Sequence, residues 1–239
     1  MITLQKQDDR YCAYYGEQYI GTIKLYNNPN HMCNCYLKLD MKCLDAAIGT
    51  GLFKEIKAIA DRPLQVMVDS TDEATIAFLT AGGFVGKRRC YEVDASADEY
   101  IGGNANMQLF YTYASDMEYE QCCSMLFDYY VETHKAVNPW TADYETFRYS
   151  MPTDVVFAKQ DGEIIALAFV EGNEIAYVCG IDKRIFEDFA RCLVSAMFKR
   201  YETICFECDD CDWAAMTLKS MFIDQDETSF DTYILGDSL

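Results

Sequence analysis

The chain has 239 residues, a length that suits two domains of ordinary size, and 51% of them are hydrophobic, enough to build packed cores. Its formal net charge of −19 argues against nucleic acid as a partner. No apolar run approaches the roughly 20 residues of a membrane helix, and the N-terminus lacks the pattern of a signal peptide. We therefore expect a soluble cytoplasmic protein that does not span a membrane.

The first half begins with strands. Alternation of apolar and polar residues predicts strands over 2–7, 11–15 and 18–26, the last two joined as a hairpin at Gly16-Glu17. A fourth strand over 36–41 places Leu37, Leu39 and Met41 on one face and Tyr36, Lys38 and Asp40 on the other. No pattern of helical length occurs between residues 1 and 26.

A glycine turn follows the fourth strand. Gly49-Thr50-Gly51 precedes a predicted helix over 52–61, which Arg62-Pro63 ends because proline lacks an N–H. The pattern then predicts a strand over 64–68, a helix over 70–80 that ends at Gly82-Gly83, and a closing strand over 88–94. The free N–H groups at the start of a helix favour anions, and glycines let a phosphate approach that backbone closely.

The second half repeats this order after a polar linker over 95–105. Strands are predicted over 107–114, 155–159, 163–170, 174–179, 203–207 and 230–235, and helices over 119–134, 141–150, 183–199 and 210–221. Thr141 is the predicted N-cap of the second of these helices. The second half has two helices that the first half lacks, and it has no Gly-x-Gly. Asp182 and Glu187 would repel a phosphate at the start of the predicted helix over 183–199.

Two motifs in the first half resemble the acetyl-CoA-binding core of the GNAT acyltransferase superfamily. Its Gln/Arg-x-x-Gly-x-Gly/Ala motif falls on residues 46–51, and its Asn-x-x-Ala-x-x-(Leu/Phe)-Tyr-x-x-x-Gly-Phe motif falls on residues 72–84. The departures from the family include Ala46 for Gln/Arg, Asp72 for Asn, and Leu79 for the Tyr that often protonates the leaving thiolate.

The resemblance implies an α/β fold of the α+β type, with two GNAT-like domains that each contain a mixed, mainly antiparallel sheet flanked by helices. The predicted domains are 1–97, which lacks the first two family helices, and 98–239, a complete but degenerate copy.

The same resemblance implies the function and its residues: an N-acyltransferase that uses acetyl-CoA or another acyl-CoA as donor substrate. Asp40 is the candidate general base, and Tyr36 is a substitute acid. Contacts with the donor are expected from Leu39, Met41, Ala46, Ala47, Ile48, Gly49, Thr50, Gly51, Asp72 and Phe78.

Charge distribution indicates the acceptor. Residues 1–97 carry a net charge of −1 and the remainder carries −18, so the acidic half favours a cationic amine, either a small molecule or a peptide. Two alternatives stay open: a GNAT-like module that binds an acyl-CoA or a protein without turnover, and a Rossmann-type nucleotide domain. The latter lacks the full Gly-x-Gly-x-x-Gly motif.

Cysteines and histidines suggest no further chemistry. Many of the twelve cysteines lie in apolar runs, and we expect buried thiols rather than a metal site even for the Cys-x-x-Cys-x-x-Cys run of Cys205, Cys208 and Cys211. His31 and His134 are predicted to be surface residues.

Overall fold

A computed structural model describes residues 1–223 and 225–236, which form two compact units. Unit 1 comprises Met1–Arg89, Val137–Ala142 and the residues from Thr228 onward, and unit 2 comprises Cys90–Ala136 and Asp143–Glu227. The predicted boundary between residues 97 and 98 gives each domain one continuous stretch. The observed units are discontinuous in sequence, because two segments of the second half belong to unit 1. Residues 224 and 237–239 of the predicted second domain lie outside the described residues.

Unit 1 combines a sheet with two helices. Its strands are β1 (Ile2–Gln7), β2 (Arg10–Tyr15), β3 (Gln18–Asn28), β4 (His31–Met41), β5 (Leu64–Asp69) and β12 (Ser229–Leu235), and its helices are α1 (Ala46–Ile59) and α2 (Glu73–Ala81). The strands lie in the order β1-β2-β3-β4-β5-β12. All neighbours are antiparallel except β4 and β5. No helix interrupts β1 to β4, a stretch described throughout, which confirms the predicted lack of the first two family helices.

The core of unit 1 lies between α1, α2 and the sheet. Leu52, Phe53 and Ile56 of α1 recur at helical spacing, and all three are fully buried. They belong to one apolar cluster with alternate residues of β5 and with Phe78 of α2. The Phe53 ring meets Phe78 edge-on at 5.2 Å, which fixes the approach of the two helices.

Unit 2 repeats this architecture with more helices. Its elements after β6 (Val85–Ser96), which enters it at Cys90, are β7 (Phe110–Tyr113), α3 (Met117–His134), α4 (Tyr144–Tyr149), β8 (Asp154–Gln160), β9 (Glu163–Glu171), β10 (Glu174–Gly180), α5 (Lys183–Met197), β11 (Thr203–Asp209) and α6 (Trp213–Lys219). The strands lie in the order β6-β11-β10-β9-β8-β7. Here too one pair is parallel, β10 with β11. The core contains one face of α5, with Phe186, Phe189 and Leu193 completely buried.

The last strand of each unit comes from the other half of the sequence. β6, predicted to close the first domain, pairs over Cys90–Ser96 with β11 in unit 2. β12, predicted to close the second domain, pairs along its length with β5 in unit 1. Alternation of apolar residues identifies a strand, but the partner of that strand depends on contacts between residues that are distant in sequence.

Aspartates begin the helices. In five of the six helices of the described residues, the side chain of the N-cap aspartate accepts hydrogen bonds from backbone N–H groups; these residues are Asp45, Asp72, Asp143, Asp182 and Asp212. The predicted cap of α4 at Thr141 is therefore wrong, since Asp143 caps that helix. The Thr141 hydroxyl instead accepts from Met32 N at 2.9 Å within unit 1.

Both histidines are buried, contrary to the prediction of surface positions. His31 is 7% exposed, its Nδ1 lies 3.0 Å from Asn138 O, and its ring packs edge-on against Trp140. His134 is 4% exposed at the end of α3. Each is covered by a segment distant from it in sequence, which local sequence pattern does not reveal. Among the described residues, no helix is both long and apolar enough to cross a bilayer.

Candidate functional site

The two parallel strands of unit 1 separate and leave a cleft. β4 and β5 are registered only at Cys35 with Leu64 and at Tyr36 with Gln65, although β4 has 11 residues and β5 has six. Beyond these pairs the strands diverge around a cleft of about 600 Å³, which lies in the range of small-molecule sites. Because β5 is paired with β12 on its other side, its edge toward β4 faces this cleft.

The cleft is lined by apolar side chains of the two strands and by charged side chains that are mostly acidic. Apolar contributions come from Leu37, Leu39, Met41, Leu44, Val66, Met67 and Val68. Among the described residues that line it, the charged side chains are Lys38, Asp40, Asp69 and Asp72. Three carboxylates against one ammonium group give the cleft an acidic character, which suits a cationic ligand better than a polyanion.

Hydrogen bonds keep two of these carboxylates ionised. The hydroxyl and the backbone N–H of Thr71 donate to Asp69 and lower the pKa of its carboxyl. Thr75 lowers the pKa of Asp72 in the same way, and its N–H donates to Asp72 Oδ1 at 3.0 Å. Both groups therefore carry a charge at neutral pH.

Five of the predicted site residues line the cleft. Tyr36, Leu39, Asp40 and Met41 lie along β4, and Asp72 lies at the start of α2. The predicted alternation of β4 holds here, because Leu39 and Met41 pack against the core cluster while the Asp40 side chain is exposed. The six residues 46–51 and Phe78 are not among the lining residues.

The predicted glycine turn is helical. α1 begins at Ala46, so Gly49 and Gly51 lie inside its first two turns, and Gly49 N already donates to Asp45 O. The Asp45 carboxylate accepts from Ala47 N at 2.8 Å and from Ile48 N at 3.4 Å. A pyrophosphate bound at this helix start would need the same N–H groups, which already donate to the Asp45 carboxylate. The Asp45 cap starts the helix earlier than the glycines suggest.

Packing explains both glycines. A Cβ at residue 49 would lie 2.8 Å from Phe78 O of α2, and one at residue 51 would lie 3.1 Å from Ile2 Cγ1 of β1. The Thr50 hydroxyl between them donates to Ala81 O at 3.0 Å. Glycine at these positions lets α1 approach its neighbours closely, which requires no bound phosphate.

Three lysines near residues 49–51 in the sequence, Lys42, Lys54 and Lys57, do not line the cleft. Lys42 Nζ lies 4.6 Å from the centre of the Tyr19 ring. Lys54 and Lys57 line a different groove of about 420 Å³, together with Thr50 and Gly82. Lys38 is thus the one basic side chain among the described lining residues.

Neither Leu79 nor Tyr36 offers an unengaged hydroxyl as general acid. Leu79, at the position of the family tyrosine, is fully buried in the core. The Tyr36 hydroxyl donates to Asn138 Oδ1 at 3.0 Å, and burial raises the pKa of this tyrosine. Sequence reasoning did not identify Asp69 and Met67 as cleft residues. The available signal was their place at the carboxyl end of β5, the usual location of ligands at parallel strands.

Comparisons with known proteins identify the fold. No protein family model matches the sequence, and no curated protein matches it. A GCN5-related N-acetyltransferase from Sphaerobacter thermophilus is similar in structure, with a TM-score of 0.59 over 98% of this chain and 82% of that chain, at 8% identity.

Two further solved structures agree. A tandem GNAT protein from the clavulanic acid biosynthesis pathway matches with a TM-score of 0.50 over 100% of this chain and 84% of that chain, at 10% identity. A probable N-acyltransferase from Enterococcus faecalis V583 matches with a TM-score of 0.50 over 95% of this chain and 61% of that chain, at 9% identity. The chain therefore has the GNAT fold, which confirms the predicted fold class. Identities this low establish the fold alone.

Proposed function

We propose that this chain, which has the GNAT fold, is an acyl-CoA-dependent N-acyltransferase that binds the thioester arm of its donor between β4 and β5 and acylates a cationic amine. The observation that carries the proposal is the cleft between the two diverging parallel strands, with Asp40 at its edge.

The strands suit the pantetheine part of the donor. Pantetheine is a narrow chain with two amides, and an open strand edge offers backbone N–H and C=O groups to such amides. Leu39 and Met41 on β4 and Val66 on β5 supply apolar contacts for the methylene groups. In this arrangement the strand edges bind and orient the arm, and the acyl thioester lies in the cleft.

The 3′-phosphate and diphosphate of CoA fit the described residues less well. Asp45 caps the N-terminus of α1, and three carboxylates line the neighbouring cleft. We therefore do not assign binding of the diphosphate to residues 46–51. We expect the pantetheine arm to contribute more to donor affinity than the phosphates do.

Asp40 supplies the acid–base chemistry on the acceptor side. A protonated amine is attracted by Asp40, Asp69 and Asp72, and it must lose a proton before it can attack the thioester carbonyl. Asp40 accepts this first proton and passes it to water, which leaves the neutral amine. As the C–N bond forms and the C–S bond breaks, the nitrogen gives its second proton to Asp40. The thiolate leaves and takes a proton from water, so the net reaction releases one proton. The exposed Asp40 side chain indicates that water reaches this part of the cleft.

Donor binding and turnover test the proposal together. Acetyl-CoA and the shorter acetyl-pantetheine are titrated calorimetrically, and thioester consumption is measured over a panel of cationic and neutral amines. Asp40→Asn is expected to lower kcat by about 10²–10⁴-fold. The matched variant Asp69→Asn, at the same cleft, is expected to raise KM for cationic amines and to leave kcat within about threefold. Absence of binding of both donors at roughly 500 µM excludes the proposal.

A second function is favoured by two specific observations. Leu79 removes the family acid, and the Asp45 cap opposes the CoA phosphates. A GNAT-like module that binds a thioester or a protein without turnover is consistent with both. Binding of a donor without consumption across the whole amine panel, unchanged in Asp40→Asn, would select this second function.

A further inference from the structure

Unit 2 contains a cluster of a histidine, an aspartate and a cysteine outside the cleft described above. His134 is the last residue of α3, Asp209 is the last residue of β11, and Cys211 lies in the turn before α6. One ligand atom of each lies within 4.8 Å of the other two, and His134 Nε2 is 3.1 Å from Asp209 Oδ2. His134 is buried, and the other two residues are half-buried.

The surroundings of His134 fix its orientation. Its ring stacks on Tyr130 at a centroid distance of 4.0 Å and an angle of 9°. Its Nδ1 lies 3.1 Å from Tyr130 O. Because a carbonyl oxygen can only accept, this hydrogen bond requires a proton on Nδ1. The Thr133 hydroxyl donates to Tyr129 O at 3.0 Å, and its oxygen lies 2.9 Å from His134 Nδ1.

This orientation directs Nε2 at a carboxylate oxygen. His134 Nε2 and Asp209 Oδ2 lie 3.1 Å apart, close enough for both atoms to bind one cation. A histidine that donates its other N–H to a backbone carbonyl is the usual arrangement around a bound metal ion.

The three donor atoms select the metal. A combination of imidazole nitrogen, carboxylate oxygen and thiolate sulfur suits Zn²⁺, whereas Mg²⁺ and Ca²⁺ take oxygen ligands. Bonds of about 2.0–2.3 Å in a tetrahedron separate the ligand atoms by about 3.3–3.7 Å. His134 Nε2 and Asp209 Oδ2, 3.1 Å apart, are slightly closer than this, and the Cys211 sulfur lies within 4.8 Å of both, so small side-chain movements complete the set.

The rest of the cysteine run does not contribute. Cys205 and Cys208 are three residues apart on β11, so they point to opposite faces of the strand. Cys208 is buried, its thiol donates to Met216 Sδ, and burial raises its pKa to about 12. Only the last cysteine of the run meets a histidine.

We propose that His134, Asp209 and Cys211 form a Zn²⁺ site with a fourth position open to water or another ligand. The ion joins the end of α3 to the turn that precedes α6. This site is independent of the proposed acyl transfer, since its residues lie in unit 2 and the cleft lies in unit 1.

Cobalt provides the direct measurement, because a thiolate bound to Co²⁺ gives a charge-transfer absorption that an oxygen site lacks. The full-length chain, reduced and stripped of metal, is titrated with Co²⁺ and then with Zn²⁺ as competitor. Cys211→Ser is compared with Cys205→Ser, a cysteine of the same run and the same half-buried class. We expect the parent chain to bind one equivalent of Co²⁺ and to show the thiolate band. Cys211→Ser should lose the band and bind Co²⁺ at least tenfold more weakly, whereas Cys205→Ser should keep both the band and the affinity.

A second variant guards against misfolding and surface binding. Asp209→Asn conserves shape and is expected to weaken Co²⁺ at least tenfold while circular dichroism stays native. Absence of the thiolate band in the parent chain overturns the proposal. So does a band that persists in Cys211→Ser and disappears when the exposed Cys33 and Cys43 are replaced by serine, since that pattern identifies adventitious binding.

Discussion

Replacement of Gly49 by alanine tests whether the glycines of α1 serve packing or phosphate binding. An alanine Cβ at this position would lie 2.8 Å from Phe78 O and 3.1 Å from Cδ2 of the same residue. The first contact is a backbone atom of α2, so the clash is relieved only by moving one helix away from the other. Overpacking of this kind costs about 1–3 kcal/mol. Alanine recovers about 1 kcal/mol through its higher helix propensity.

These two terms leave a net loss of about 0–2 kcal/mol in the free energy of unfolding for Gly49→Ala, and we expect the upper half of that range because the clash involves a backbone atom. Gly51→Ala is the matched control in the same helix. Its Cβ would meet Ile2 Cγ1 at 3.1 Å, a side-chain atom that can rotate away, so its effect lies between neutral and a gain of about 1 kcal/mol.

Urea unfolding of the full-length chain measures both variants, and acetyl-CoA titration accompanies it. If Gly49→Ala proves as stable as Gly51→Ala, the packing explanation is incorrect. If both variants keep the parent stability and bind acetyl-CoA much more weakly, the glycines serve the phosphates, and the helical start at Ala46 does not describe the ligand-bound protein.

Three further predictions follow from individual hydrogen bonds. Asp45→Ser keeps a capping group on α1 and removes the charge, so acetyl-CoA binds about 2–5-fold more tightly by calorimetry, and an unchanged affinity would show that the cap does not oppose the phosphates. Thr75 lowers the pKa of Asp72 below 3.8, so the charge of Asp72 stabilises the folded chain above that pH, and this contribution is lost as the pH falls through the folded-state value. The difference in unfolding midpoint between the parent and Asp72→Asn should therefore be present at pH 7 and shrink as the pH falls below 3.8, whereas a difference that stays constant contradicts the prediction. Tyr36→Phe leaves Asn138 Oδ1 without its donor and lowers the free energy of unfolding by about 1–2 kcal/mol in urea, whereas no loss would mean that water replaces the tyrosine.

Much of the fold was predictable because its local signals agree with one another. The helical spacing of Leu52, Phe53 and Ile56 and the alternation of Leu37, Leu39 and Met41 identify their elements. The order of those elements was sufficient to suggest the GNAT fold. Asp40 was named from the resemblance to the family, and the structure places it among the residues that line the cleft.

The start of α1 shows where local signals conflict. The pair of glycines predicts a turn, whereas Asp45 followed by two alanines is also a good start for a helix. The close approach of α2 decides between them, because Gly49 must be helical and without a side chain for Phe78 O to pack against it. That contact involves a residue 29 positions away and has no local signature.

The sequence by itself determined which stretches become helices and strands and which strand carries Asp40. The tertiary structure alone decided that β6 joins β11, that β12 joins β5, and that β4 and β5 separate after two paired residues. It also brought His134, Asp209 and Cys211 together. The physical reason is range: capping and periodicity act within a few residues along the chain, whereas strand partners, clefts and clusters depend on the free energy of contacts that only the folded chain can make.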